Sequence, residues 1–204
     1  MVKYNGIVKT LKRQGHEVAV IVGGGALSRE FIGIAKKLKL KELDQDEIAI
    51  SVSRLFAQLF LKMLGEMGCG KVALTLGEAT KCLNNGKILV MGGLKPGITT
   101  DTVAALVAER VKADLVIKGT DQDGIYNKDP KKHSGATKLD HLSFDDLGKV
   151  LSESKHKAGI HQIIDPEAIK IMKSDRIKLI VVNGFKPENI LAAVNGNMVG
   201  SLVT

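Results

Sequence analysis

The chain has 204 residues, 44% of them hydrophobic and 25% charged, which suffices for one sizeable core and is ordinary for a globular protein. Its net charge of +8 raises nucleic acid as a partner, but the lysines are scattered, aromatics make up 3% with no Trp, and no zinc-knuckle or helix–turn–helix pattern occurs. Nucleic-acid binding is therefore set aside, and acidic small-molecule substrates explain a basic excess equally well.

The opening MVKYNGIVKTLKRQG has no apolar signal core, and no run approaches 18 apolar residues. The expectation is a cytoplasmic protein without a membrane span. Cys69 and Cys82 make neither a disulfide framework nor a C-x-x-C site, and are expected to be inert thiols in a reducing compartment.

Residues 2–14 read as a helix stopped by Gly15. The run EVAVIV, 17–22, is apolar, β-branched and of strand length, and it ends on Gly23-Gly24-Gly25. Residues 26–38 then read as helix. Three glycines here are either a tight strand-to-helix turn or an anion-binding turn, with Arg29 one turn into the helix and able to grip a phosphate through two N–H groups. Lys36, Lys37, Lys39 and Lys41 cluster at that helix's end, where cations complement its dipole. From Asp44 a long helix runs to Gly65 and Gly68, its core stripe read as Ile48, Val52, Leu55, Leu59 and Met63. Asp46 and Arg54 lie off that stripe and read as exposed helix charges.

Residues 71–76 read as a strand, followed by a short helix to Asn84, a turn at Asn84-Asn85-Gly86 and a strand over 87–91. That strand runs into Gly92, Gly93, Leu94, Lys95, Pro96, Gly97, Ile98, Thr99 and Thr100. A helix follows over 101–112, capped by Thr100 or Asp101. This order of strand, glycine turn, hydroxyls and helix start is what a phosphate-gripping loop needs. Small residues let backbone N–H groups approach an anion, and the helix N-terminus adds unpaired donors and a positive dipole end. The glycine spacing imitates a Walker A motif, with Thr99 at its hydroxyl position, but Ile98 stands where that motif requires Lys.

Residues 114–118 form another strand, entering GTDQDGIYNKDP at 119–130. Asp121-Gln122-Asp123-Gly124 imitates a calcium loop, yet the glutamate required six residues past the Gly is replaced by Pro130. Two readings remain: a turn with Gly124 at positive φ, or a nucleotide pocket at the strand's carboxyl end, toward which Lys118 directs its charge. Residues 131–142 read as polar loop. A helix over 143–152 opens with Ser143 and Asp146 spaced as a capping box, and another starts at Asp165-Pro166. A strand over 177–182, a helix over 187–194 and an edge strand over 200–204 complete the chain. Strand–helix alternation throughout predicts an α/β fold with a mainly parallel sheet covered on both faces. Histidines 16, 133, 141, 156 and 161 pair with no Cys, Asp or Glu at metal-ligand spacing, and no G-x-S-x-G is present, which disfavours metalloenzyme and hydrolase readings.

Three glycine-bearing turns thus each follow a strand, at 23–25, 92–97 and 119–124, with Arg29, Thr99, Thr100 and Lys118 nearby, and together they suggest more than one phosphate group. In this order and spacing, the strand-GGG-helix start, GGLKPGITTDTVAALVAE and TDQDGIYNKDP resemble the amino acid kinase superfamily. Within it the chain is most similar to the archaeal type of uridylate (UMP) kinases, from about residue 2 to the C-terminus. The segment L-K-P-G-I-T-T-D is the more specific match, and T-D-x-D-G-[IV]-Y-x-x-D-P is shared with aspartate kinases and other relatives. Isopentenyl phosphate kinases place a histidine just after the first glycine loop, where this chain has Ala26-Leu27-Ser28-Arg29.

The resemblance implies a three-layer αβα sandwich forming one domain, roughly 1–112 binding the acceptor and roughly 113–204 binding ATP. It implies phosphoryl transfer from ATP to UMP with Mg²⁺, giving UDP and ADP, in a homohexamer. Matched by position, Gly24, Asp46 and Leu94, Lys95, Pro96, Gly97, Ile98, Thr99 and Thr100 would hold UMP. Gly25, Arg29, Thr120, Asp121, Tyr126 and Asp129 would hold ATP; position 121 is often Asn in relatives. Lys118 matches a lysine placed near the transferred phosphoryl group, and with Arg29 it is the catalytic candidate; no protein metal site of its own is expected. The absence of a catalytic base agrees with this chemistry, since the second pKa of a phosphate monoester is about 6 and the attacking oxygen is already largely ionised. Relatives open with a strand and a Gly-Gly-Ser or Lys-x-Gly turn upstream of this Met1, a turn that contacts the ATP phosphates. The alternatives are accordingly a catalytically impaired nucleotide-binding relative, or a family member acting on another small acid or phosphate.

Overall fold

The computed structural model describes residues 1–155 and 163–204. The chain divides into two compact units, Met1–Val107 and Ala108–Thr204.

In the first unit, α1 (Val2–Arg13) leads to the short strand β1 (Ala19–Ile21) and then α2 (Gly25–Lys37). The long α3 (Glu42–Leu64) and one turn of 3-10 helix (Gly65–Met67) follow, then α4 (Leu76–Asn84), β2 (Leu89–Met91) and α5 (Thr100–Val111), within which the division falls. Strands β1 and β2 pair in parallel, Ala19 opposite Leu89 and Ile21 opposite Met91. The predicted strand over 71–76 forms no ladder. Gly68 and Ala73 make only isolated parallel bridges to Ile88 and Met91, because Thr75 already caps α4 by accepting the Glu78 N–H.

Helix α3 is the unit's central element, packing on α1, α2 and β2. Its core face is Val52, Ser53, Ala57, Phe60, Leu61 and Leu64, which shares only Val52 with the stripe read from the sequence. Leu55 and Leu59 are 52% and 50% exposed. The helix is apolar on two sides, and periodicity alone selected the wrong one. The true face joins Val8, Val72, Ile88 and Val90 in one cluster, where each fully buried aliphatic side chain contributes on the order of 1.5–3 kcal/mol. The span Glu42–Met67 is by length and composition alone long and apolar enough to cross a membrane. Its packing face makes it the core helix of this unit.

The thiol expectation is also corrected: Cys69 and Cys82 form a disulfide. Cys69 follows the bridge to Ile88, and its N–H donates to the Ile88 carbonyl. Cys82 sits buried on the inner face of α4, which packs on β2. Their Cα atoms are 5.9 Å apart, a separation that a disulfide spans readily.

The second unit holds β3 (Leu115–Thr120), the hairpin strands β4 (Ile125–Tyr126) and β5 (Lys138–Leu139), β6 (His141–Leu142), α6 (Phe144–Lys155), α7 (Pro166–Ser174), β7 (Lys178–Asn183), α8 (Glu188–Val194) and β8 (Ser201–Val203). Four strands form one sheet in the order β3-β7-β8-β6. Pairings β3–β7 and β6–β8 are parallel, and β7–β8 is antiparallel. The C-terminal strand is therefore interior rather than an edge, because residues 138–142, read as loop, supply two strands and β6 takes the outer position. Asp165 caps α7 by accepting the Ala168 N–H at 2.9 Å, and Ser143 accepts the Asp146 N–H at 3.1 Å, as their sequence signatures predict. Of the five histidines, His156 and His161 lie outside the described residues.

Candidate active site

The first unit brings two of the three glycine turns together. Because β1 and β2 are parallel and in register, both release their glycines at the same end of the pair. The Val22 N–H donates to the Met91 carbonyl at 2.8 Å. A side chain on Gly23 would lie 3.5 Å from Thr100 Oγ1, so the turn at 23–25 adjoins the end of the loop at 92–100.

Gly24 precedes α2 and Gly25 has φ +60°, a conformation suited to glycine. Helix α2 has no side-chain N-cap and no acid in its first turn. The first hydrogen bond at this end runs from the Ser28 N–H to Gly24, leaving the preceding donors for an anion. Arg29 is exposed on that helix, and its guanidinium makes no hydrogen bond or ion pair among the described residues.

The loop after β2 is held by α3. Leu89, Val90 and Met91 are fully buried and aim the chain at Gly92 and Gly93. A Cβ on Gly92 would lie 2.8 Å from the Arg54 backbone nitrogen, and one on Gly93 2.8 Å from Ile50. Only glycines allow this approach. Ser53 Oγ accepts the Gly93 N–H at 2.7 Å and donates to the Ile50 carbonyl at 2.7 Å. Arg54 donates from Nε to the Gly93 carbonyl at 2.9 Å and from Nη2 to the Leu94 carbonyl at 2.8 Å. Asp46 Oδ2 accepts the Gly97 N–H at 2.8 Å.

Asp46, selected from the sequence, therefore meets the loop directly, and neither it nor Arg54 is an idle surface charge. Leu94, Lys95, Pro96, Gly97, Ile98, Thr99 and Thr100 form one continuous turn into α5. Gly97 has φ +82°, and Thr99 Oγ1 accepts the N–H groups of Asp101 and Thr102 at 3.1 and 3.2 Å. Thr99, rather than Thr100 or Asp101, is thus the cap, since the helix begins one residue earlier than the sequence suggested. Ser53 and Arg54 were missed. The available signal was polar residues seven and eight positions after Asp46, a spacing that returns to the same helix face.

In the second unit, Lys118 and Thr120 lie at the carboxyl end of β3, Lys118 half-buried and opposite Val181 of β7. Thr120 Oγ1 accepts the Gln122 N–H at 3.2 Å and so closes the first turn of the loop. Asp121 pairs with Lys131 at 2.5 Å, and this contact holds the Lys131 ammonium above its ordinary pKa. Asp123 accepts from Asn183 Nδ2 at 2.9 Å and from Lys186 Nζ at 3.2 Å, and these bonds, Asn183 first, lower its carboxyl pKa. Gly124 has φ +155° and lies against β8; the following N–H, of Ile125, donates to Ser201 Oγ at 2.8 Å. Asp129 is buried and its Oδ1 accepts the Lys131 N–H at 2.9 Å, shaping the turn at 129–133. Tyr126 and Asp129 line one cleft with Gln122, Lys128, Val150, Leu151 and Ile163. The structure thus gathers Thr120, Asp121, Tyr126 and Asp129 on one loop system, while Gly25 and Arg29 belong to the first unit.

Parallel strands that end in glycine turns, uncapped helix donors and loop N–H groups define an α/β protein for phosphorylated small molecules. The amino acid kinase family model matches residues 3–183. The chain is 41% identical to the uridylate kinase of Methanocaldococcus jannaschii over 203 residues, covering 100% of this chain and 89% of that protein. It is 37% identical to the uridylate kinase of Methanobrevibacter smithii over 201 residues, covering 98% and 89%. The crystal structure of the uridylate kinase from Archaeoglobus fulgidus superposes with a TM-score of 0.90 at 38% identity, covering 99% of this chain and 91% of that one. This chain belongs to the amino acid kinase family, and its mainly parallel α/β architecture is the fold of that family.

Proposed function

We propose that this protein is a UMP kinase, transferring the γ-phosphoryl group of ATP to the phosphate of UMP to give UDP and ADP. The observation that carries this reading is the loop 92–100, pinned to α3 by Asp46, Ser53 and Arg54 while the Leu94 and Lys95 N–H groups meet no protein acceptor among the described residues. The names and extent of its relatives support the same activity.

In this reading the first unit is the acceptor-binding part and the second the ATP-binding part, with Gly24, Asp46 and Leu94 to Thr100 on UMP, and Gly25, Thr120, Asp121, Tyr126 and Asp129 on ATP. Arg29 and Lys118 supply positive charge against the repulsion of two phosphate groups. No general base is required, because the UMP phosphate is already ionised near neutral pH. Catalysis then consists of alignment and charge cancellation. In this reading Mg²⁺ would be held by the ATP phosphates and water. Bound there, it would neutralise phosphate charge. A homohexamer in the cytoplasm completes the proposal. Phe31, Ile34 and Leu38 of the α2 segment, and Leu55 and Leu59 of α3, are exposed apolar side chains that support self-association.

The test is ADP release with ATP and Mg²⁺ across UMP, CMP, a carbamate, an acyl acid and an isoprenoid phosphate. UMP is expected to give the highest kcat/KM. A higher value for any of the others would replace the substrate assignment, and nucleotide binding without ADP release from any of them would refute the activity.

A further inference from the structure

We infer that Arg54 is a positioning residue for the acceptor phosphate, acting by setting the orientation of two peptide groups in the loop after β2. The inference rests on the reading of 94–100 as the UMP loop.

In a trans peptide the C=O and N–H of one unit point in opposite directions. Arg54 holds the Gly93 carbonyl at 2.9 Å and the Leu94 carbonyl at 2.8 Å, both drawn toward α3. The N–H groups on the far sides of those peptides are those of Leu94 and Lys95, which therefore point away from the helix. Neither donates to a protein acceptor among the described residues. The flanking N–H groups point the other way, Gly93 to Ser53 Oγ and Gly97 to Asp46 Oδ2. The loop thus alternates groups spent on the helix with a consecutive pair turned outward, the arrangement of backbone donors that binds an anionic oxygen.

Nothing smaller than a guanidinium does this. The planar fork of Arg spans two adjacent carbonyls, whereas a lysine ammonium is a single point of charge. Arg54 is half-buried and its backbone lies against Gly92, so side chain and loop are fixed to the same turn of α3. Without the fork, the 93–94 and 94–95 peptides are free to rotate, and the outward donors lose their common direction. Arg54 itself touches neither UMP nor ATP in this account; it acts through the loop.

The experiment compares Arg54→Lys, Arg54→Met and Gly97→Val with the wild type. The readouts are KM for UMP, KM for ATP, UMP affinity by calorimetry, and melting temperature. Arg54→Met is expected to raise KM and Kd for UMP about tenfold or more, the loss of one charge-assisted bond to phosphate, with KM for ATP within about twofold. Arg54→Lys is expected to fall between Arg54→Met and wild type. If Arg54→Lys and Arg54→Met both fold and keep the wild-type KM for UMP while Gly97→Val raises it, the loop is the site and Arg54 does not position it. If Gly97→Val also leaves UMP binding unchanged, the loop reading itself fails and takes this inference with it. Parallel loss of UMP affinity, ATP affinity and melting temperature in both Arg54 variants would show a purely structural side chain and overturn the proposal.

Discussion

The loop at 92–100 and the loop at 119–133 both follow a parallel strand and carry glycines, yet they are held by different means. The first is fastened to one helix by Ser53, Arg54 and Asp46 through its own backbone, after a fully buried strand. The second adds exposed ion pairs, Asp121 with Lys131 and Asp123 with Lys186, to backbone bonds at Ser201 and Asp129. Backbone hydrogen bonds inside a packed surface resist salt and pH, whereas exposed pairs are screened and titrate. The loop at 92–100 is consequently expected to be the rigid member of the two, and the loop at 119–133 the adjustable one.

The largest expected effect separates chemistry from binding. Lys118→Met should lower kcat about a hundredfold or more, as removal of a group that stabilises developing phosphoryl charge does, while UMP affinity by calorimetry stays near the wild-type value. Equal losses in both would place Lys118 in binding instead.

Reducing the disulfide tests the covalent support of the first unit, which carries the loop at 92–100. The two cysteines are 13 residues apart in sequence, and opening a loop of that size should cost the first unit about 3 kcal/mol. Thiol counting by mass spectrometry and denaturant unfolding with and without reductant would measure this; unchanged unfolding would mean the bridge contributes nothing. Next in size, Gly92→Ala places a methyl against the α3 backbone at Arg54. It should destabilise by about 1–3 kcal/mol and raise KM for UMP, and a wild-type KM would show that the close approach is dispensable.

The smallest effect belongs to the second loop. The Asp123 carboxyl is held below its ordinary pKa, first by Asn183 and then by Lys186. Its contribution to stability is therefore present above the unfolded carboxylate pKa and is lost as pH falls through the lower folded value. Unfolding followed from pH 6 down into the acid range below about 4 should show a small loss in wild type that Asp123→Asn no longer shows. Added salt should weaken the same contact.

Much of this was legible in the sequence because glycines, hydroxyls and strand ends are local signals. Gly92 to Thr100 announces its turn in nine letters, and Asp165-Pro166 its helix cap. What was not legible depended on which neighbours the fold brings together. Leu55 and Leu59 obey helical periodicity as well as Phe60 and Leu64 do, so only the position of β2 decides which face of α3 is buried. Cys69 and Cys82 meet because a bridge at Gly68 and the inner face of α4 both lie against β2, a coincidence that sequence spacing does not encode. Arg54 reads as a surface charge until the glycines of a loop some forty residues later in the chain arrive beside it. Ser201 to Val203 reads as an edge until β6, hidden in a polar stretch, takes the outer place.

The most direct measurement is the amide resonance of Leu94 and Lys95 during titration with UMP. Both should shift strongly downfield as their N–H groups bond to the phosphate, with amides of 119–133 moving little until an ATP analogue is added. Largest shifts at 119–133 on UMP addition, or none at Leu94 and Lys95, would contradict the assignment of this loop to the acceptor.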